Sequence, residues 1–192
     1  MEKKNVSHSV RFIIIGGSSG SLKVILELLD LLRTDFNIPM LFVFHRSNQK
    51  ESLLTELLSS KTNLTVKEVE EKEYIVPGKI YIAPQDYHVL VESDKSFSLD
   101  YSEKIHFSRP SIDVSFKSGA EVYRKGLLCI LLSGANADGA EGLEKVKFNN
   151  GITIVQDPEE ADVPYMPQQA LLKKGIDYTL NTSQIVEFLN RL

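Results

Sequence analysis

Val10-Arg11-Phe12-Ile13-Ile14-Ile15-Gly16-Gly17-Ser18-Ser19-Gly20-Ser21 leads directly into a helical pattern, Leu22 to Leu32. An apolar run that meets glycines and gives way to a helix reads as strand, sharp turn and helix. That context lifts a serine hydroxyl out as a nucleophile, with glycine where a Cβ would clash. The same stretch decides the fold, because a buried strand feeding a helix is the first half of a βαβ unit. Comparable apolar runs recur at 40–44, 127–132 and 152–156. Strands so nearly free of polar residues must be covered on both faces. The expected architecture is α/β: a doubly wound, mainly parallel sheet with helices on both faces.

Working outward, helical patterns fall at 21–33, 51–59, 111–124, 139–148, 167–174 and 183–192. Ser111 is a candidate N-cap with Asp113 in the first turn behind it. Pro77-Gly78 marks a turn, and 79–82, 88–92 and 97–101 read as a short antiparallel meander at one edge. The charge-rich stretch from Glu68 to Glu73 reads as a solvated edge strand or loop. No repeat or linker interrupts the pattern, so residues 1–192 are expected to form a single domain.

Composition narrows the function classes. The chain has 192 residues, 42% of them hydrophobic, which is enough for a substantial core. A net charge of −4 argues against a nucleic-acid footprint. The single cysteine, Cys129, lies in an apolar run and leaves neither a disulfide nor a cysteine-rich metal site within the chain. The start is polar without a signal-peptide apolar region, and no run reaches the ~20 apolar residues that span a bilayer. The chain is read as cytoplasmic, without membrane insertion, metal or cofactor.

A serine hydroxyl needs a base within hydrogen-bond reach, and the base works best when a carboxylate fixes its tautomer. Ser18, His45 and Asp138 supply the three parts, each just beyond the C-terminal end of an apolar strand. In an open parallel sheet those ends share one edge. The helix after Ser18 adds free N–H groups and a positive dipole end, suited to a developing oxyanion. The order Ser…His…Asp matches neither the α/β-hydrolase order nor those of chymotrypsin and subtilisin, so the nucleophile-elbow fold is not assumed.

These residues resemble one family, the catalytic domain of the chemotaxis methylesterase CheB. Its G-A-S-T-G-G is similar to Gly16-Gly17-Ser18-Ser19-Gly20-Ser21, and its Q-H-M-P to Phe44-His45-Arg46-Ser47. Its P-G-x-[IV]-Y-[IV]-A-P-x-x-x-H resembles Pro77 through His88, and its R-P-S-V-D-x-L-F resembles Arg109 through Phe116. Its L-T-G-M-G-x-D-G-x-x-G resembles Leu132 through Gly142, and Gln156-Asp157 and Met166-Pro167 through Ala170 meet its last motif. The resemblance implies Ser18 as nucleophile, His45 as base and Asp138 as triad carboxylate. Main-chain N–H groups near Ser19 and Ala135 become the candidate oxyanion donors.

The implied activity is hydrolysis of glutamate γ-methyl esters on the cytoplasmic helices of methyl-accepting chemoreceptors, with glutamine deamidation as a companion reaction. The family's usual N-terminal receiver domain has no counterpart in residues 1–9, so a separate response-regulator partner is one expected source of control. Departures from the pattern cluster at the site: Ala135-Asn136 stands for Met-Gly, Arg46-Ser47 for Met-Pro, and Ser108 where a histidine is common. Two other classes remain open. One is a methylesterase-like module that binds receptors or signalling partners without catalysis. The other is a nucleotide-binding domain, disfavoured because serines occupy positions 18 and 21 of the glycine fingerprint.

Overall fold

The structure, a computed structural model, describes residues 10–45 and 51–192. Nine strands follow in chain order: β1 (Phe12–Gly17), β2 (Met40–Phe44), β3 (Thr65–Glu68), β4 (Lys79–Ile82), β5 (His88–Val91), β6 (Phe97–Asp100), β7 (Leu127–Leu131), β8 (Ile152–Gln156) and β9 (Tyr178–Leu180). Six α-helices accompany them: α1 (Ser21–Leu31), α2 (Glu51–Ser59), α3 (Ile112–Tyr123), α4 (Ala140–Phe148), α5 (Tyr165–Leu171) and α6 (Thr182–Asn190). The main sheet runs β3-β4-β2-β1-β7-β8-β9, with every neighbouring pair parallel.

Alternation along each apolar strand divides the core into two layers. Phe12 and Ile14 of β1, with Leu127, Cys129 and Leu131 of β7, face a layer built from α3, α4, α5 and the β5–β6 hairpin. Ile13, Ile15, Leu128 and Ile130 face the opposite layer, where Val24, Ile25 and Leu28 of α1 meet Ile185 and Leu189 of α6. Both faces of the central strands are dry, which is why their sequences carry no polar residue. Burying each such side chain stabilises the fold by roughly 1.5–3 kcal/mol before conformational entropy is charged against it.

One expectation changes. Residues 79–82 do not open an antiparallel meander; β4 lies inside the parallel sheet, with Ile80 opposite Met40 on one side and Val66 on the other. Ile80, Tyr81 and Ile82 are buried, so only a position covered from both faces satisfies them. Among the described residues the antiparallel strand pair is β5–β6, a separate two-stranded sheet. It docks on α3, where Ser115 Oγ donates to Val89 O (2.7 Å) and Val91 N–H donates to Ser118 Oγ (3.1 Å). The charged stretch begins in β3, an edge strand of the main sheet. The short edge strand β9, with two of its three residues exposed, carried no hydrophobic signal that could announce it.

The chain moves outward from β1 through β2 to the edge strand β3, steps back to β4 between them, and then crosses to the other side of β1 with β7. The β1/β7 boundary is therefore the topological switch point, where the crevice beyond the strand ends is open to a ligand. Ser18 and Asp138 follow those two strands.

Candidate active site at the switch point

The turn after β1 is held mostly by main chain. Gly20, the N-cap of α1, has φ 84, in the left-handed region. A Cβ there would lie 2.7 Å from both Asp162 Cβ and Ser133 Oγ. Ser18 N–H donates to Ser133 O (2.9 Å), and Ser21 N–H (3.1 Å) and Oγ (2.7 Å) both donate to Ser18 O. Ser133, fully buried, donates from Oγ to Ser19 O (2.7 Å) and accepts from Val163 N–H (2.9 Å). Ser133 N–H in turn donates to Gln156 Oε1 (2.9 Å). The elbow is thus braced from β7 and β8, while Ser18 itself is half-buried and Ser19 exposed.

Gly16 serves a different need: a Cβ at this position would meet Ile112 Cγ2 at 2.3 Å. Its absence lets the start of α3 press against the end of β1. On the other side, Gly17 pairs with Phe44, and His45 N–H donates to Gly17 O at 3.3 Å. Ser18 and His45 therefore leave the ends of adjacent strands side by side.

His45 Nε2 lies 2.7 Å from Asp138 Oδ2. Asp138 is fully buried, and both oxygens are engaged: Oδ1 accepts from Ser111 Oγ (2.9 Å) and Asp113 N–H (3.0 Å), and Oδ2 also accepts from Ile112 N–H (2.7 Å). Burial pushes this carboxyl up, but the hydrogen bonds from His45 and from the Asp113 and Ile112 N–H groups outweigh it. The group is held below its usual range and stays an anion.

One sequence expectation about a cap is corrected here. Ser111 occupies the N-cap position of α3 but makes no side-chain cap bond; its hydroxyl turns to Asp138. Asp138 does not cap the helix that follows it, whose N-cap is Gly139. It caps α3 across the fold instead, placing its charge at the positive end of that dipole. His88 completes the arrangement, buried, accepting Ser111 N–H at Nδ1 (3.0 Å) and facing Glu103 O with Nε2 (3.0 Å). Both of its ring nitrogens are thereby engaged.

Among the described residues neither Ser19 N–H nor Ala135 N–H is taken by a hydrogen bond, and α1 has no side-chain cap to occupy its first N–H groups. His106 Nε2 lies 3.5 Å from Asp113 Oδ2. Donor atoms of His106, Asp113 and Asp138 lie within 4.8 Å of one another. The lone pairs of Asp138 are already used by four donors, so this cluster is poorly suited to a cation. Asp113 gives Oδ1 to Gly142 N–H (2.6 Å) and leaves Oδ2 buried without a hydrogen-bond partner. Burial first, and the Asp138 charge second, push its carboxyl up. Arg46 and Ser47 lie outside the described residues. No helix among the described residues is long and apolar enough to cross a membrane.

Sequence reasoning brought out Ser18, His45 and Asp138 and missed Ser133, Gln156 and the side-chain role of Asn136. A buried serine directly after an apolar strand was the available signal for Ser133. For Asn136 it was a polar amide two residues before the carboxylate.

The chain is also similar to known proteins. A relative from Leptospira interrogans is 42% identical over 180 residues, covering 94% of this chain and 93% of that one. The Thermotoga maritima protein named protein-glutamate methylesterase/protein-glutamine glutaminase is 34% identical over 187 residues, covering 96% of this chain but 54% of its own length. The crystal structure of the Thermotoga maritima CheB methylesterase catalytic domain superposes with a TM-score of 0.89 at 34% identity, covering 95% of this chain and 98% of that one. The family model described as CheB methylesterase matches residues 13–189. With that match over nearly all of its length, the chain belongs to the CheB methylesterase family.

Proposed function

We propose that this protein hydrolyses γ-methyl esters of glutamate side chains on chemoreceptor cytoplasmic helices, using Ser18, His45 and Asp138, and that residues 1–192 act as one catalytic domain. The observation that carries the reading is the 2.7 Å contact between His45 and a buried, anionic Asp138, beside a serine on a glycine turn at the switch point. Kinship with proteins named protein-glutamate methylesterases supplies the substrate class.

Ser18 Oγ attacks the ester carbonyl carbon as His45 Nδ1 takes its proton. Asp138 holds the resulting imidazolium through Nε2–H. The tetrahedral oxyanion lies against the Ser19 and Ala135 N–H groups, which need no reorganisation to receive it. Collapse breaks the C–O bond to the methoxy group, and His45 returns the proton so that methanol leaves. Water then repeats the cycle on the acyl-serine and frees the glutamate carboxylate. The same steps on a glutamine side chain release ammonia.

Methanol release from methylated receptor fragments, wild type beside Ser18→Ala, tests the proposal. Release is expected from the wild type and is expected to fall to background in the variant while the melting temperature stays put. Undiminished release by Ser18→Ala sinks the mechanism. A binding module without catalysis is the second reading, favoured by one observation: the outward nitrogen of His45 is occupied by Asn136. Failure of fluorophosphonate to label Ser18 in folded protein would select that reading.

A further inference from the structure

The side-chain amide of Asn136 makes contacts that determine its orientation. Asp138 N–H donates to Asn136 Oδ1 at 3.1 Å. A backbone N–H has only a proton to offer, so the atom facing it must be the amide oxygen. The other end of the amide is therefore the NH2 group, and it lies 3.2 Å from His45 Nδ1. Its second neighbour is Ser108 Oγ at 3.5 Å, the outer limit of a hydrogen bond.

An NH2 group can bond Nδ1 only if that nitrogen carries a lone pair. The ring proton must then sit on Nε2, which faces the Asp138 anion at 2.7 Å. Asp138 and Asn136 thus specify one tautomer from opposite ends of the ring. That tautomer is the productive one, but its working lone pair is already engaged. Ser18 can pass its proton to Nδ1 only after the Asn136 N–H has moved away, and an imidazolium with a proton on Nδ1 cannot coexist with it.

We infer that Asn136 is a latch on the general base: it presets the His45 tautomer in the resting protein and must withdraw before Ser18 is activated. Asn136 is half-buried and is not among the described residues with a left-handed backbone, so the loop carries it without strain and a side-chain rotation can release it. Ala135, whose N–H is free, adjoins it, so an ester oxygen received there sits one residue from the latch. The two residues the amide touches beyond Asp138 are the base itself and Ser108. Positions 108 and 136 are both points where the sequence departs from the family pattern, and the departures meet in space. The inference rests on the Ser18–His45–Asp138 reading and assigns Asn136 a positioning role, not a catalytic one.

The test uses the whole chain with 15N-labelled histidine, as wild type, Asn136→Gly and Asn136→Ala. Nitrogen shifts of His45 report the tautomer and the hydrogen bond at Nδ1, and fluorophosphonate labelling reports Ser18 reactivity. In the wild type Nδ1 is expected to read as a bonded acceptor with the proton on Nε2. In both variants that signature is expected to be lost, and Ser18 is expected to label about three- to tenfold faster, the factor that one ordinary hydrogen bond represents. An Nδ1 signal unchanged by both substitutions overturns the latch. So does a lost signal with equal or slower labelling, which would make Asn136 a support for the base. Absence of labelling in all three proteins is a different failure: it removes Ser18 as nucleophile, and the latch with it, while the nitrogen shifts still report whether the Asn136 bond exists.

Discussion

The two sides of the His45 ring lie in contrasting surroundings. On the Nε2 side stands Asp138, fully buried, with four donors on two oxygens, two of them the first N–H groups of α3 and a third the hydroxyl of Ser111 just before it. On the other side are the Ser18 elbow and the Ala135-Asn136 loop, half-buried or exposed, where the Ser19 and Ala135 N–H groups are used by no described residue. The first region is over-determined and the second is left incomplete. A fixed carboxylate is best held by a rigid frame, because any slack there is lost orientation of the base. Donors for a substrate oxygen must instead be left unsatisfied until it arrives. The contrast teaches that stability and reactivity are allotted to opposite ends of one side chain.

The substitution expected to break this contrast most severely is Asp138→Asn. An amide keeps one acceptor oxygen but sets an NH2 against N–H and O–H donors that now have nowhere to go. Turnover is expected to fall by ~10⁴, the scale seen when a triad base is held in the wrong tautomer. Stability is expected to fall too, by roughly 2–4 kcal/mol for the orphaned donors at the start of α3. Methanol-release kinetics beside calorimetry check both, and an Asn variant that melted like the wild type would show that the α3 cap is dispensable. The contrast with Ser18→Ala, which is expected to remove activity alone, is the sharper for it.

Gly20→Ala strikes the other region. At φ 84, and 2.7 Å from Asp162 Cβ and Ser133 Oγ, the added methyl forces the elbow to shift. A loss of about 2–3 kcal/mol is expected from left-handed strain and overlap together, with a fall in Ser18 labelling larger than the fall in stability would explain. Labelling that followed the folded fraction alone would count against the elbow as a reactive geometry.

Asp113 and Asp138 separate the two signs of pH dependence. Asp138 is held below its usual range, so it contributes stability above its unfolded pKa and loses it as pH falls through the folded one. Asp113 is pushed up by burial and by its neighbour, so its favourable contribution belongs to low pH and fades as pH rises from its unfolded value towards its folded one. Asp113→Asn retains the acceptor for Gly142 N–H and avoids a buried charge. Its melting temperature relative to wild type is expected to climb by a few degrees between pH 4 and pH 7. A difference that stayed flat with pH would contradict the upward push that burial and Asp138 give this carboxyl. The smallest effect is expected far from the site, where Lys61 pairs with Asp30 at 3.3 Å on an exposed surface. Lys61→Ala should shift stability by less than about 0.5 kcal/mol, leaving the contrast between the two sides of His45 untouched.

Much of this was legible along the chain because it is local. Apolar strands covered on both faces, a serine between glycines, and a polar residue after each strand are periodic or adjacent features, and backbone sterics act within a few residues. Ser18, His45 and Asp138 could be named on that basis. The placement of β4 could not, since Lys79-Ile80-Tyr81-Ile82 has the length and composition of an edge hairpin strand as well as of an internal one. Nor could β9, whose exposure gives no alternation to read.

The sequence by itself determined the layers and the elbow, because hydrophobic periodicity and the steric demands of glycine are properties of short segments. Only the tertiary structure decided which partners the site's polar atoms find. Asp138 caps α3 instead of the helix beside it, His88 receives Ser111 N–H, and the Asn136 amide closes on His45 Nδ1. Those bonds join residues distant in sequence. A buried donor or acceptor takes whatever complementary group the packed core brings within 3 Å, and no pattern along the chain records that choice.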